Sequence, residues 1–341
     1  MRALIIGGTG LISTAITRFL AERGDDVVLY NRGQTEAPIP EGLEQIHGDR
    51  TDYAAFEEQM AEAGRFDCVI DMVCFQPEDA ESVVRAFRGN IGQLVFCSTV
   101  DVYTKPAGSY PVVESHSTEA PVGDYGQNKA LCERVLMDAD ERGDFPVTIV
   151  RPAYTYGEGA GILHTFGWTT TFLDRLRKGR PVVVHGDGSS FWVACHRDDV
   201  GRAFVAAAGN PGTFGKAYHV TGEEWMTWDQ YVRGVARAME APEPEIVHVP
   251  TDVLTKVLPE QAAWCGINFQ FNNIFDNTAA RRDLDFRYTV PWVEGVRRTV
   301  AWLDEHDGIG DCEEEPWYDR LIEAWREMGE ELSRRLASPE E

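Results

Sequence analysis

A tyrosine and a lysine four residues apart, in Tyr125-Gly-Gln-Asn-Lys129, are the pair in this chain whose types and spacing most directly suggest chemistry. On a helix that spacing puts both side chains on one face. An ammonium beside a phenol lowers the phenol pKa, so Tyr125 is expected to exchange a proton with a substrate alcohol near neutral pH, while Lys129 can hold a ribose hydroxyl. Upstream lies PheCysSerThrValAspValTyr, residues 96–103. Ser98 and Thr99 fall at the end of an apolar run. In a parallel sheet that is where ligands bind, and a hydroxyl there can hydrogen-bond a reacting oxygen.

Such groups need a scaffold, and the first thirty-two residues supply its start. Ala3 to Ile6 is an apolar run, the signature of a strand buried on both faces. The turn Gly7, Gly8, Gly10 follows, then an amphipathic segment from Leu11 to about Glu22 and a second apolar run, Val27 to Tyr30. Strand, glycine turn, helix and strand open a dinucleotide-binding fold: glycines let the backbone approach a pyrophosphate, and the helix N-terminus faces it. Ser13 stands where a third glycine would give the closest helix–strand packing. Further strands are expected at Leu43 to His47, residues 68–73, Gln93 to Ser98 and residues 147–150, with helices at Tyr53 to Ala63, Ala80 to Arg88 and from Asp124, as N-cap, to about Arg142. The alternation predicts an α/β fold, a doubly wound parallel Rossmann sheet with a smaller C-terminal substrate-binding lobe. The expected division is 1–153 plus about 196–222 for the dinucleotide domain, about 154–195 and 223–310 for the lobe, and 311–341 for an acidic C-terminal helix carrying Trp317, Leu321, Trp325 and Met328 on one face.

The length, 341 residues, suits a core domain plus a lobe. The formal charge of -24 disfavours nucleic acid and anionic membrane surfaces as partners. No stretch has the apolar length of a membrane span and Met1 leads straight into the first strand, so a cytoplasmic protein is expected. Seven scattered cysteines without paired spacing read as reduced core residues, and no metal site is expected.

GlyGlyThrGlyLeuIle (7–12), Gly48-Asp49, PheCysSerThrValAspValTyr, Tyr125 to Lys129, Arg151-Pro152 with Tyr156-Gly157, and GlyAspGly (186–188) before Asp198-Asp199-Val200 occur in an order that resembles the extended short-chain dehydrogenase/reductase superfamily, the NAD-dependent epimerases and dehydratases. The resemblance covers roughly residues 1–300. It implies Tyr125 as catalytic acid/base, Lys129 as its partner, and Thr99, counted back from Tyr103, as the catalytic hydroxyl. It implies cofactor contacts from Gly7, Gly10, Asp49 and Lys129. Further cofactor contacts are expected from Thr9, Leu11, Ile12, Asn31, Arg32, Arg50, Met72, Val73 and Pro152, and substrate contacts from Ser98, Asp101, Tyr154, His164 and Trp192. A homodimer is usual in that family.

Two departures bear on the substrate. Trp192 stands where relatives acting on nucleoside-diphosphate sugars carry an arginine. A neutral aromatic cannot neutralise a diphosphate but can stack on a sugar, which favours a free sugar, polyol or other small carbonyl or alcohol. After Thr99 the pair is Val100-Asp101 where dehydratases have Asp-Glu, leaving Asp101 as a base or as a hydroxyl ligand. The cofactor is NAD or NADP. The second strand ends Tyr30-Asn31-Arg32, without the carboxylate that selects NAD, and Arg32 can pair with a 2′-phosphate, so NADP is favoured. The expected function is oxidation or reduction of a hydroxyl or keto group of a sugar-like substrate by an epimerase/dehydratase-like enzyme. The alternatives are a net NADP-dependent reductase of a small carbonyl compound and, from another class, a dinucleotide-sensing or RNA-associated protein, because Tyr30-Asn31-Arg32-Gly33 also resembles plastid-type stem-loop RNA-binding members.

Overall fold

The computed structural model describes residues 1–35, 37–121 and 123–337. Glu36 and Val122, within expected loops, and residues 338–341 of the expected terminal helix lie outside the described residues. The chain divides into two compact units. The first comprises Met1–Gly157, Val193–Trp225 and Asn273–Trp292, the second Glu158–Trp192, Met226–Asn272 and Val293–Glu341. Residues 273–292, expected in the lobe, thus belong to the first unit, and the C-terminal helix is part of the second rather than a separate element.

The first unit is built on a parallel seven-stranded sheet. Its strands are β1 (Arg2–Ile6), β2 (Asp26–Asn31), β3 (Glu44–His47), β4 (Cys68–Asp71), β5 (Leu94–Cys97), β6 (Val147–Pro152) and β11 (Lys216–Val220), in the order β11-β6-β5-β4-β1-β2-β3. Successive side chains alternate between faces. Ala3 and Ile5 join Val27, Leu29 and Ile70 under α1 (Leu11–Arg23) and α6 (Arg197–Ala207), where Ile16, Leu20, Val200 and Phe204 close the layer. Leu4 and Ile6 join Val28 and Val69 on the other face under α2 (Tyr53–Ala63), α3 (Pro77–Phe87) and α4 (Asp124–Glu141), through Phe56, Met60, Val83, Phe87 and Leu136. Two buried layers explain the nearly unbroken apolar runs. The order reverses between β1 and β4, the switch point at whose carboxyl edge such sheets bind ligands. A short parallel pair, β7 (Tyr154–Tyr156) with β10 (Ala194–His196), and α9 (Thr278–Leu284) complete the unit.

Helix α4 starts one residue differently from expectation. Its N-cap is Gly123, at φ 83°, with Asp124 the first helical residue and Gln127 turned to the Pro121 carbonyl.

The second unit contains α5 (Thr171–Arg177), β8 (Val182–His185) paired with β13 (Ile246–Val249), β9 (Phe191–Trp192) paired with β12 (Met226–Thr227), α7 (Trp228–Ala238), α8 (Thr251–Val257), α10 (Trp292–Glu305) and α11 (Pro316–Ala337). The buried anchors of α11 are Tyr318 and Ile322, whereas Met328, expected on the packed face, is 59% exposed. The Tyr318 hydroxyl accepts the Val183 N–H at 2.8 Å, and its ring lies 4.1 Å from the Arg175 guanidinium, which pairs with Asp319 at 2.6 Å. Asp174, Asp311 and Cys312 converge with the spacing of metal ligands, but the Lys178 ammonium sits among them, 2.8 Å from each carboxylate. Among the described residues no helix is long and apolar enough to cross a membrane. All seven cysteines are buried and free.

Burial depresses the pKa of His164 and His219 to about 3 and of His185 to about 4, from 6.5. The unfolded chain therefore binds these protons first as pH falls. Their contribution is intact above about pH 6.5 and is lost toward pH 4 and below, each histidine adding a slope of about 1.4 kcal/mol per pH unit within that window. Urea midpoints measured from pH 7.5 downward are expected to fall from about pH 6.5, above the range where carboxylates titrate. A flat profile to pH 5 would contradict this.

Candidate active site

At the carboxyl edge of the first unit's sheet a cleft of about 540 Å³ is lined by Gly7, Thr9, Gly10, Asn31, Arg32, Asp49, Arg50 and Val73, all expected cofactor contacts. Tyr30, Gly33, Gln34, Thr35, Gly48, Thr51, Tyr53, Phe75, Gln76 and Asp79 complete it. Leu11, Ile12, Met72, Lys129 and Pro152 are not among its lining residues. Gly7 has φ 86°, and a Cβ there would fall 2.4 Å from Val73 Cγ1. A Cβ at Gly48 would fall 2.3 Å from the Tyr30 hydroxyl. Ser13 ties the turn together: its hydroxyl donates to the Gly7 carbonyl at 2.6 Å and accepts the Gly10 N–H at 3.1 Å, the use the chain makes of a serine where a third glycine was anticipated.

The cleft fits a dinucleotide on its own features. The N-cap of α1 is Gly10, which offers no side-chain acceptor, so an anion can take the first-turn N–H groups. Arg50, at the cleft wall, is buried on the Phe56 ring; its Nη2 donates to the Asp79 carbonyl and lies 3.7 Å from the buried Asp71 carboxylate, while Nε and Nη1 lack a hydrogen-bond partner. At the end of β2, Asn31 is a turn former: its Oδ1 accepts the Gly33 N–H at 2.7 Å and its Nδ2 donates to Gln45. Arg32 is exposed.

The chemical groups gather where β5 ends. Thr99 caps the single turn Val100–Val102, accepting the Asp101 N–H at 3.1 Å, and its side chain lies close enough to the Tyr125 phenol to favour the phenolate. Tyr125, in the first turn of α4, is 39% exposed. Its residue neighbour explains the closeness: a Cβ on Gly126 would lie 2.3 Å from the Asp101 carbonyl oxygen. Gly126→Ala is expected to push α4 off this turn and destabilise the protein by about 1–3 kcal/mol, measurable by thermal unfolding, because a backbone atom cannot yield as a side chain can.

Lys129 is 1% exposed and is placed differently from expectation. Its ammonium donates to the carbonyls of Cys74 at 2.8 Å and Cys97 at 2.7 Å and lies 4.7 Å from the Phe75 ring centroid at the cleft wall. The Tyr125 phenol is held above its ordinary value, not below it. Desolvation by the surrounding chain is the main cause, the Cys97 thiol and Asp101 carboxylate add to it, and the Thr99 hydrogen bond opposes it. The carboxylate expected to act freely, Asp101, is paired with Lys105 at 3.1 Å.

Three residues expected to contact substrate are buried. Ser98 is buried and donates to Glu133, which also accepts from Arg151 Nε at 2.8 Å and Nη2 at 2.6 Å. Arg151 Nη1 donates to the Tyr103 hydroxyl, which donates in turn to His219 Nε2, while His219 Nδ1 donates to the Asp276 carbonyl. This buried chain of hydrogen bonds fixes the end of β5. In the second unit His164 is 2% exposed, stacks on Phe172 at 4.9 Å and bonds Thr169. Trp192 is 5% exposed and packs on Trp228 and Phe269, each at 5.1 Å. Tyr154 remains half-buried beside Tyr156.

The description of the NAD dependent epimerase/dehydratase family matches residues 3–86 and 80–221. The chain belongs to that family. Membership agrees with the parallel sheet, the glycine turn at its switch point and the order of motifs. This family member is 27% identical over 313 residues to a 2'-dehydrokanamycin reductase from Streptomyces kanamyceticus, covering 92% of this chain and 87% of the relative. It is 28% identical over 260 residues to the chloroplast stem-loop binding protein of 41 kDa b from Arabidopsis thaliana, covering 72% of this chain and 65% of the relative. A UDP-glucose 4-epimerase from Bifidobacterium longum, solved with NAD+ and UDP, shares the fold with a TM-score of 0.73 at 17% identity, covering 91% of this chain and 100% of that one. The family is NAD dependent, and these comparisons lend no support to the expectation of NADP.

Proposed function

We propose that this epimerase/dehydratase-family oxidoreductase reduces a ketone on a sugar or sugar-like small molecule, or runs the reverse oxidation. The observation that carries the reading is the placement of the Thr99 hydroxyl, at the turn that ends β5, beside Tyr125 in the first turn of α4, a partly exposed tyrosine. A phenol carries its proton at neutral pH and can give it to a carbonyl oxygen as that oxygen becomes an alcohol, although the raised pKa makes Tyr125 a weaker acid than a free phenol. When bound, the nicotinamide supplies the hydride donor or acceptor. Tyr125 moves the proton, and Thr99 orients both the phenol and the substrate oxygen. Lys129 has three donors and spends two on carbonyls, which leaves the third for a ribose hydroxyl. The 2'-dehydrokanamycin reductase, alike over most of both chains, points to ketosugars as the compounds to try first. The stem-loop binding relative does not redirect the proposal, since a charge of -24 works against phosphate-backbone binding.

The test is twofold. Mass spectrometry of the native protein identifies the dinucleotide that travels with it, NAD or NADP. Absorbance at the nicotinamide band is then followed with a panel of ketosugars that includes 2'-dehydrokanamycin. Stoichiometric loss of the reduced dinucleotide supports net reduction; turnover of the sugar with the absorbance unchanged shows an epimerase or dehydratase instead.

A further inference from the structure

Lys105 is a residue that spacing alone gave no reason to single out. Its Nζ lies 3.1 Å from Asp101 Oδ1 and 2.9 Å from Asn273 Oδ1, and its side chain is 7% exposed, against 20% for Asp101. An ammonium so enclosed is costly unless paired, and here it is paired with a carboxylate one residue past the catalytic turn's start. The Asp101 carbonyl packs against Gly126, next to Tyr125. The groups bearing on the phenol are Thr99 and Asp101 from this turn and Cys97 from β5; Lys129, one turn along α4, is engaged with the carbonyls of Cys74 and Cys97.

We propose that Lys105 is a positioning residue of the site, fixing Asp101 beside Tyr125 and offsetting its negative charge there, the electrostatic part that spacing had given to Lys129. The proposal rests on the reading of Tyr125 as proton donor. Without the ammonium, Asp101 loses this cationic partner and its negative charge makes the phenolate harder to form. Without the carboxylate, the ammonium makes it easier. The pairing also takes from Asp101 the free carboxylate that an elimination would need, in keeping with simple reduction.

Nitration by tetranitromethane reads the phenolate directly and needs no substrate. At about pH 8, peptide mass spectrometry compares the rate at Tyr125 with that at Tyr110, a similarly exposed tyrosine at 37% that serves as internal reference. Because one pKa unit changes the phenolate fraction about tenfold, Lys105→Met is expected to lower the Tyr125 to Tyr110 ratio about fivefold or more. Asp101→Asn is expected to raise it, Lys105→Arg to keep it, and the double variant Lys105→Met/Asp101→Asn to return it close to wild type. If Lys105→Met does not fold, Lys105→Gln, which removes the charge and retains a polar end for Asn273, is judged by the same criterion. A ratio unchanged by loss of the lysine charge overturns the proposal, as does a double variant as slow as the single. Because turnover is not measured, failure here leaves the reductase reading standing, and failure of that reading leaves the nitration result intact.

Discussion

Tyr125→Phe is expected to lower kcat for ketosugar reduction by about 10²–10⁴-fold, the usual worth of a positioned proton donor. The substitution removes one hydroxyl and leaves a ring that is already partly exposed, so folding should survive. The dinucleotide cleft does not include Tyr125, so the dissociation constant of the dinucleotide should stay within about twofold of wild type, the spread ordinary for a change outside a binding site. That split between rate and cofactor affinity distinguishes lost proton transfer from general damage. Thr99→Val should follow in the same direction with a smaller loss, because the threonine orients the proton and does not carry it. Lys129→Met should act on both quantities, since the carbonyls of Cys74, between the cleft-lining Val73 and Phe75, and of Cys97 would lose their donor.

The largest effect on stability is expected at the Arg151–Glu133 pair. Both side chains are buried, at 7% and 8% exposure, and the contact is two-pronged. Arg151→Met leaves the Glu133 carboxylate in the interior with Ser98 as its remaining donor in that network and strips the Tyr103 hydroxyl of its cationic partner. Breaking one side of such a pair costs about 3–5 kcal/mol. Urea unfolding should show that loss, and Arg151→Met/Glu133→Gln should recover part of it, because the stranded charge is gone. A loss below about 1 kcal/mol would mean that water reaches the network and the pair behaves as a surface one.

The sheet was readable because strands covered on both faces leave continuous apolar runs, and the glycine turn because close packing of Gly7 on Val73 and of Gly8 on Leu29 admits no side chain. Tyr125 and Thr99 were readable because local spacing sets where they stand. Their electrostatics were not. Lys129 points to carbonyls of two different strand ends, and Lys105 meets a partner 168 residues away, relations that exist only after folding. His164, Trp192 and Ser98 carry chemically versatile groups, and only burial reveals that His164 and Trp192 are core and that Ser98 is engaged with Glu133. Gly126 left a usable signal within the Tyr125–Lys129 motif: a glycine inside a helix start that gains nothing from it locally implies a close neighbour.

The most direct test is the absorbance of reduced dinucleotide incubated with the ketosugar panel, run side by side for wild type and Tyr125→Phe. Decay at the nicotinamide band in the wild type, lost by a hundredfold or more in the variant, is the predicted result. Equal decay in both proteins, or an absorbance that stays level in the wild type while the sugar is converted, would contradict it.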